Sequence, residues 1–256
     1  MPEFTSQIMS ITGLGLMLGL IVLGSALQVA TGVGLGLIAG PSLLYFLDTI
    51  SAVQTAIVLN LILTLFLLPS EVKSVSRKPL LNLSFWACLG LPFGLGLLFL
   101  LETSTLKLLG ATVILLSVIQ LKFFPAGQAN ATTGPWLVRL GGGVSGTMTG
   151  ALAIPGPVAL WALLSSGTDA LTTRATLRAY FIVAYTLAFG LHLGFAGKGA
   201  ETWMMSVILT PAVIGGIAVG FFGRRFLTPS HLTRLLEIVL VTMGVSLLIK
   251  GILDVL

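Results

Sequence analysis

Charge is the scarcest resource in this chain. Only 8% of its 256 residues are Asp, Glu, Lys or Arg, against 56% hydrophobic residues. A water-soluble domain carries about a quarter charged residues, so a soluble fold is excluded. The single cysteine, Cys88, rules out an intramolecular disulfide and a multi-cysteine metal site. The first 30 residues hold no Lys or Arg. A secretory signal begins with a positively charged region, so the N-terminal apolar run is expected to stay in the protein. The apolar runs also lack a central carboxylate of the kind that lines a proton path. Nothing in the sequence calls for a cofactor, a metal or a nucleic acid.

What remains is apolar sequence in long runs, with mean hydropathy +1.08. Runs of this length favour helices over the short alternating segments of an outer-membrane barrel. The expected fold is therefore an all-α integral membrane protein. Hydropathy breaks delimit ten apolar segments, at roughly 8–29, 31–47, 50–69, 80–101, 104–124, 136–153, 155–166, 170–192, 203–223 and 232–253. The polar stretches "PSEVKSVSRKP" (69–79), "PAGQANATTGP" (125–135) and "GRRFLTPSH" (223–231) read as loops.

The ten segments fall into two sets of five. "TGVGLGLIAGPSLLY" (31–45) matches "TMTGALAIPGPVALW" (147–161) at an offset of 116, pairing Thr31 with Thr147, Gly34 with Gly150 and Pro41 with Pro157. With two inserted residues "SAVQTAIVLN" (51–60) falls on "DALTTRATLR" (169–178), and Pro92 later falls on Pro211. The chain thus reads as a first repeat at 1–124, a cytoplasmic connection at 125–135 and a second repeat at 136–256. Placing the loops at 70–79, 122–139, 170–178 and 224–234 inside the cell gathers ten of the 13 Lys and Arg there. The two Gly-rich stretches then open to opposite faces, as hairpins of inverted topology, and both termini lie outside the cytoplasm.

A broken helix at membrane depth is tolerated only where protein or a wet cavity covers its free backbone. Its N–H groups and positive dipole end suit an anion. Gly32, Gly34 and Gly36, with Gly143, Gly146 and Gly150, allow a ligand to approach the backbone. The competing explanation is helix packing, since Gly15/Gly19, Gly36/Gly40, Gly142/Gly146 and Gly190/Gly194 all have small-xxx-small spacing.

The paired Gly-Pro hairpins ("IAGPSLL", "AIPGPVAL"), each followed by a polar-centred helix, resemble the sulfite exporter TauE/SafE family of bacterial membrane permeases over about residues 10–250. The resemblance implies a transporter of the inner membrane that moves sulfite, organosulfonates or related sulfur-containing anions, with export the expected direction and import of a related anion such as thiosulfate the alternative. It supplies no list of binding residues, so the candidate site rests on this sequence. Asn60 and Arg178 share a repeat position about ten residues into their helices, ~15 Å deep. No Asp or Glu is expected at that depth, and Glu237 is the expected partner of Arg174. Arg178 then has an anionic substrate as its natural counter-ion, or else caps hairpin carbonyls or reaches the surface. Gln28, Thr31, Ser145, Thr147 and Thr149, with Gln54 and Thr173, are candidate neutral donors. Each Ser or Thr has its own helix backbone as the alternative partner. A homodimer is a possible assembly.

Two motifs compete with this reading. "GLGLIA" (34–39) fits a dinucleotide fingerprint but lacks the strand before it and the acidic residue after it. "GVSG" (143–146) has the form of an intramembrane serine protease, with Ser145 as nucleophile and His192 as base. The charge count yields the first prediction. In a Cys88→Ser background, cysteines at positions 3 and 255 are expected to react with an impermeant thiol reagent in intact spheroplasts. Protection of either until lysis overturns the inverted arrangement.

Overall fold

The computed structural model describes residues 11–123, 136–197, 199–226 and 228–255. The expected connection at 125–135 lies outside the described residues. Among them are ten α-helices and no strand: α1 (Ile11–Thr31), α2 (Leu35–Phe46), α3 (Thr49–Leu67), α4 (Arg77–Leu100), α5 (Thr103–Phe123), α6 (Trp136–Leu152), α7 (Gly156–Leu164), α8 (Ala170–Phe195), α9 (Ala200–Gly223) and α10 (Pro229–Leu253). Each apolar segment read from hydropathy corresponds to one of these helices.

Seven of them, all but α2, α6 and α7, are long and apolar enough to cross a membrane. With 12 and 9 residues, α2 and α7 reach only ~18 and ~14 Å, short of a ~30 Å hydrocarbon core. Neither can span alone; α2 follows α1 after residues 32–34, and α7 follows α6 after residues 153–155. The long helices start where caps are available. Asp48 accepts the Ser51 amide at 3.1 Å to open α3, and Asp169 accepts those of Leu171 and Thr172 at 3.0 and 3.1 Å to open α8. These two caps stand 121 residues apart, so the two-residue insertion read from the sequence becomes five. The equivalence of Asn60 with Arg178 shifts by three residues accordingly.

Helix pairing is reciprocal between the two sets of five. α1 packs on α9 and α6 on α4, α3 meets α8, and α5 meets α10. The pair α3–α9 has its counterpart in α4–α8. Outside, Phe85, Phe93, Leu100, Val207, Phe222 and Ile238 stand exposed, an apolar surface that only lipid accommodates. Inside, α2 is buried along most of its length, from Leu35 to Leu44. Protein therefore encloses the broken hairpin, which is the condition for breaking it.

Small residues set the tightest contacts. Gly142, Gly146 and Gly150 of α6 lie directly on Leu83, Ala87 and Leu91 of α4, while Gly90 and Gly94 of α4 face the Gly143 and Thr147 carbonyls. A Cβ on Gly146 overlaps the Ala87 carbonyl, and one on Gly150 comes within 2.5 Å of the Leu91 carbonyl. Gly146 and Gly150, read above as backbone that approaches a ligand, instead let two helices meet backbone to backbone. Gly216 and Gly220 of α9 do the same against Val22, Ser25 and Ala26 of α1. Gly15, Gly19, Gly190 and Gly194 have open space around them, so their spacing serves no contact within the described chain.

The contrast is measurable. Gly146→Ala is expected to force α4 and α6 apart and cost about 1–3 kcal/mol, in the range of overpacking. Gly190→Ala should stay within about 0.5 kcal/mol of wild type, as a surface change does. Thermal unfolding of both variants in one detergent checks this, and equal stabilities refute the packing assignment.

Candidate functional site

The two interruptions, residues 32–34 and 153–155, meet inside the bundle. A Cβ on Gly36 falls 2.9 Å from the Tyr185 hydroxyl, 3.4 Å from the Ala153 carbonyl and 3.5 Å from Asn60 Oδ1, while one on Gly40 falls 3.0 Å from the Leu152 carbonyl. Gly156 faces Val33 and Phe181 in turn. Between them lies a cavity lined by Gln28, Val33, Gly34, Gly36, Leu37, Ile154, Gly156, Phe181 and Tyr185. Its free space is about 10 Å³, close to the minimum for one water.

Each break is closed by its own local chemistry. Gly32 adopts φ +91°, ending α1 in the left-handed conformation that glycine permits, and its N–H donates to the Gln28 carbonyl at 2.9 Å. The Thr31 hydroxyl lies 2.9 Å from the Leu27 carbonyl and 2.7 Å from that of Val33. Thr31 thus ties the turn to itself. Gln28 Oε1 accepts the Leu35 amide at 2.8 Å, capping α2. No room exists for a side chain at Gly34, where a Cβ comes within 2.7 Å of the Gln28 nitrogen and the Gly24 carbonyl. In the second hairpin the left-handed residue is Ala153, at φ 58°. Its N–H donates to Thr149 O at 3.0 Å and the next amide reaches Met148 O at 3.3 Å, in the manner of a helix-ending turn.

Three further carbonyls of the broken ends are met by side chains of α8. Arg178 Nη2 donates to Val29 O at 3.3 Å, Tyr185 donates to Ala153 O at 3.3 Å, and His192 Nε2 lies 2.9 Å from Gly150 O. Ser145 donates to Pro155 O at 2.8 Å and lies 2.7 Å from the Tyr180 hydroxyl, also on α8. With the negative helix ends answered in this way, the N-termini of α2 and α7 face the cavity as the positive ends. Beside it, Gln28 Nε2 and Asn60 Oδ1 are buried without a hydrogen-bond partner, while Asn60 Nδ2 donates to Ala56 O at 2.8 Å.

The expected site residues therefore divide. Gln28 and Gly34 line the cavity, and Asn60 reaches its edge beside Gly36. Thr149 donates to Ser145 O at 2.7 Å on its own helix, and Thr147 lies 3.2 Å from Gly90 O on α4. Gly146 and Gly150 face that same helix, away from the cavity. Gln54 donates to Gly197 O at 3.1 Å, holding the α8–α9 connection, and Thr173 pairs with Thr168 at 2.6 Å.

Arg178 needs a correction. It was expected to lack a protein counter-ion, yet its Nη1 lies 2.8 Å from Glu71 Oε1. Arg174 likewise meets Glu71, at 3.6 Å, and not Glu237. Linear depth along a helix misses Glu71 because it sits in a connection folded back against α8. Tyr185, Phe181 and Ile154 were missed as well. A tyrosine deep in an apolar helix was the available signal, since a buried hydroxyl must find a partner.

Comparison with known proteins places this geometry. The family model described as Sulfite exporter TauE/SafE matches residues 16–247. The chain belongs to the TauE/SafE sulfite exporter family. No curated protein and no solved structure matches it. As a TauE/SafE member it is a multi-pass membrane permease, and the match spans both hairpins, the cavity and Glu71.

The serine-protease alternative fares poorly beside this family assignment. Ser145 is engaged by Tyr180 and Pro155, and His192 by Gly150, so the two do not form a nucleophile–base pair. Ser145→Ala is expected to cost about 1–3 kcal/mol by stranding the Pro155 carbonyl and Tyr180 hydroxyl, with no peptidase activity to lose. Unfolding in detergent and a casein-cleavage assay on the purified TauE/SafE protein check both halves, and cleavage abolished by the substitution reverses the assignment.

Proposed function

We propose that this permease carries small sulfur-containing oxyanions, sulfite or organosulfonates, out of the cell across the inner membrane, holding the substrate where the two helix breaks meet. The observation that carries the reading is the convergence of two half-helix N-termini on a cavity beside the unpartnered amide nitrogen of Gln28. Donors and positive dipole ends without a resident anion suit a sulfonate or sulfite oxygen. The reciprocal helix pairing supports two repeats of inverted topology with the site at their interface, as in many secondary transporters. At about 10 Å³ the cavity is too small for a three-oxygen anion, so the arrangement described is a closed one, and transport requires the hairpins to part.

Export of an anion needs no further coupling. With the inside negative, each exported charge gains about 2.3 kcal/mol per 100 mV. The absence of a carboxylate from the centre of the long helices accords with a facilitated route. The Lys and Arg distribution supports a cytoplasmic α3–α4 connection with both termini outside.

Reconstituted protein should pass radiolabelled sulfite in proteoliposomes at an imposed potential, with sulfoacetate and thiosulfate defining the range. Absence of flux for all three refutes the substrate class. Gln28→Glu is the sharper variant, because it keeps the acceptor for the Leu35 amide and replaces the free N–H₂ by a carboxylate oxygen. Folding should persist while sulfite flux falls at least tenfold, the loss of one charge-assisted contact. Undiminished flux in that variant removes Gln28 from the site.

A further inference from the structure

Between α3 and α4 the chain makes two short 3-10 turns, Leu68–Ser70 and Val72–Ser74, and returns against α8, where the Ser76 amide donates to Thr176 Oγ1 at 3.0 Å. Glu71 stands between the turns. Its Oε1 lies 2.8 Å from Arg178 Nη1 and 3.6 Å from Arg174 Nε. One carboxylate thus faces two guanidiniums, leaving an excess positive charge. The pairing is also incomplete. Arg178 is only 3% exposed, yet its Nε, the Nε of Arg174 and Oε2 of Glu71 are buried with no hydrogen-bond partner. A guanidinium offers a planar fork suited to two oxygens, and Glu71 engages Arg178 with one.

The matching connection on the other side, between α8 and α9, is held differently. Gln54 of α3 donates to Gly197 O at 3.1 Å and accepts from the Thr202 hydroxyl at 2.9 Å. Both contacts are neutral. Among the described residues, one connection is therefore fastened by an ion cluster and the other by an amide.

We propose that Arg174 and Arg178 form a loading site for the substrate oxyanion, reached from the α3–α4 side, at which Glu71 is the resident anion that the substrate displaces. This rests on the anion-transport reading above. Exchange of one oxyanion for another conserves the charge-assisted hydrogen bonds, so displacement carries little penalty for an anion. A neutral solute supplies no such replacement, and a cation is repelled. A sulfite or sulfonate group also brings the second oxygen that the Arg178 fork lacks. The site adjoins the cavity: Arg178 bonds the Val29 carbonyl, next in sequence to Gln28, and the Arg174 stem packs 3.4 Å from the Cβ position of Gly32 at the tip of the first break. Once displaced, Glu71 no longer fastens the α3–α4 connection to α8, so substrate arrival and opening of that mouth become one event.

The test uses radiolabelled sulfite uptake in membrane vesicles of both orientations, so that each mouth is presented separately. Glu71→Gln preserves shape and removes the competing charge. Its KM for sulfite should fall about tenfold at the α3–α4 face and change little at the other, as expected when one charge-assisted competitor is removed. Arg178→Gln should raise the KM at that face tenfold or more. If Arg178→Gln fails to insert, Glu71→Gln decides alone. An unchanged KM at both faces in Glu71→Gln, or an equal fall at both, overturns the loading site while leaving transport standing. Wild-type vesicles that move no sulfite overturn the transport reading itself.

Discussion

Everything in this fold depends on paying for backbone that has been freed inside an apolar phase. Two helix interruptions lie inside the bundle, and each exposes carbonyl and amide groups that cost several kcal/mol apiece if left without partners. α8 resolves the part that the hairpins do not resolve locally. Along one 26-residue helix it presents Arg178, Tyr180, Tyr185 and His192, each directed at a broken end or at the serine that serves one. The polar residues of α8 are thus structural before they are functional. What they leave without a partner beside the breaks is Gln28 Nε2, the donor on which the proposed anion site rests.

The architecture was legible because its signals are additive along the chain. Ten apolar runs, separated by polar loops and by short breaks at 32–34 and 153–155, locate the ten described helices to within a few residues, while Gly40-Pro41 continues inside α2. The site was legible only where a residue acts through its own hairpin. Gln28 and Gly34 line the cavity because the turn that makes the break also makes its lining. Glu71 could not be found this way. Its depth is set by a connection that folds inward, and no count of residues along a helix measures that. Gly146 and Gly150 misled for a related reason. The permissiveness that admits a ligand also admits another helix, and periodicity does not say which.

The two breaks are also unlike in detail, though they answer the same problem. The first turns on Gly32, for which a positive φ carries no penalty, and the second on Ala153, for which it costs about 1 kcal/mol. The first is capped by a side-chain amide from its own preceding helix. The second leans on Ser145, Tyr185 and His192, partners supplied largely by α8. Reciprocal helix pairing therefore coexists with different means of holding each half-helix in place.

The backbone contacts of α1 with α9 and of α4 with α6 bear on how the molecule is made. Glycine on one helix is matched to the bare backbone of another, and neither face finds a substitute for its partner in lipid. The α4 surface around Gly90 and Gly94 has its mate within the next stretch of chain. α1 does not, because α9 begins 169 residues after α1 ends. At a synthesis rate of about 5–20 residues per second, that interval is roughly 10–30 s. Throughout it the Val22–Ser25–Ala26 face lacks its partner, and for most of it α8, the source of the arginine that caps the first hairpin, is not yet made. The nascent N-terminal half is therefore the form of this protein most in need of a chaperoning insertase, and the broken helix is the part of it that needs shelter longest.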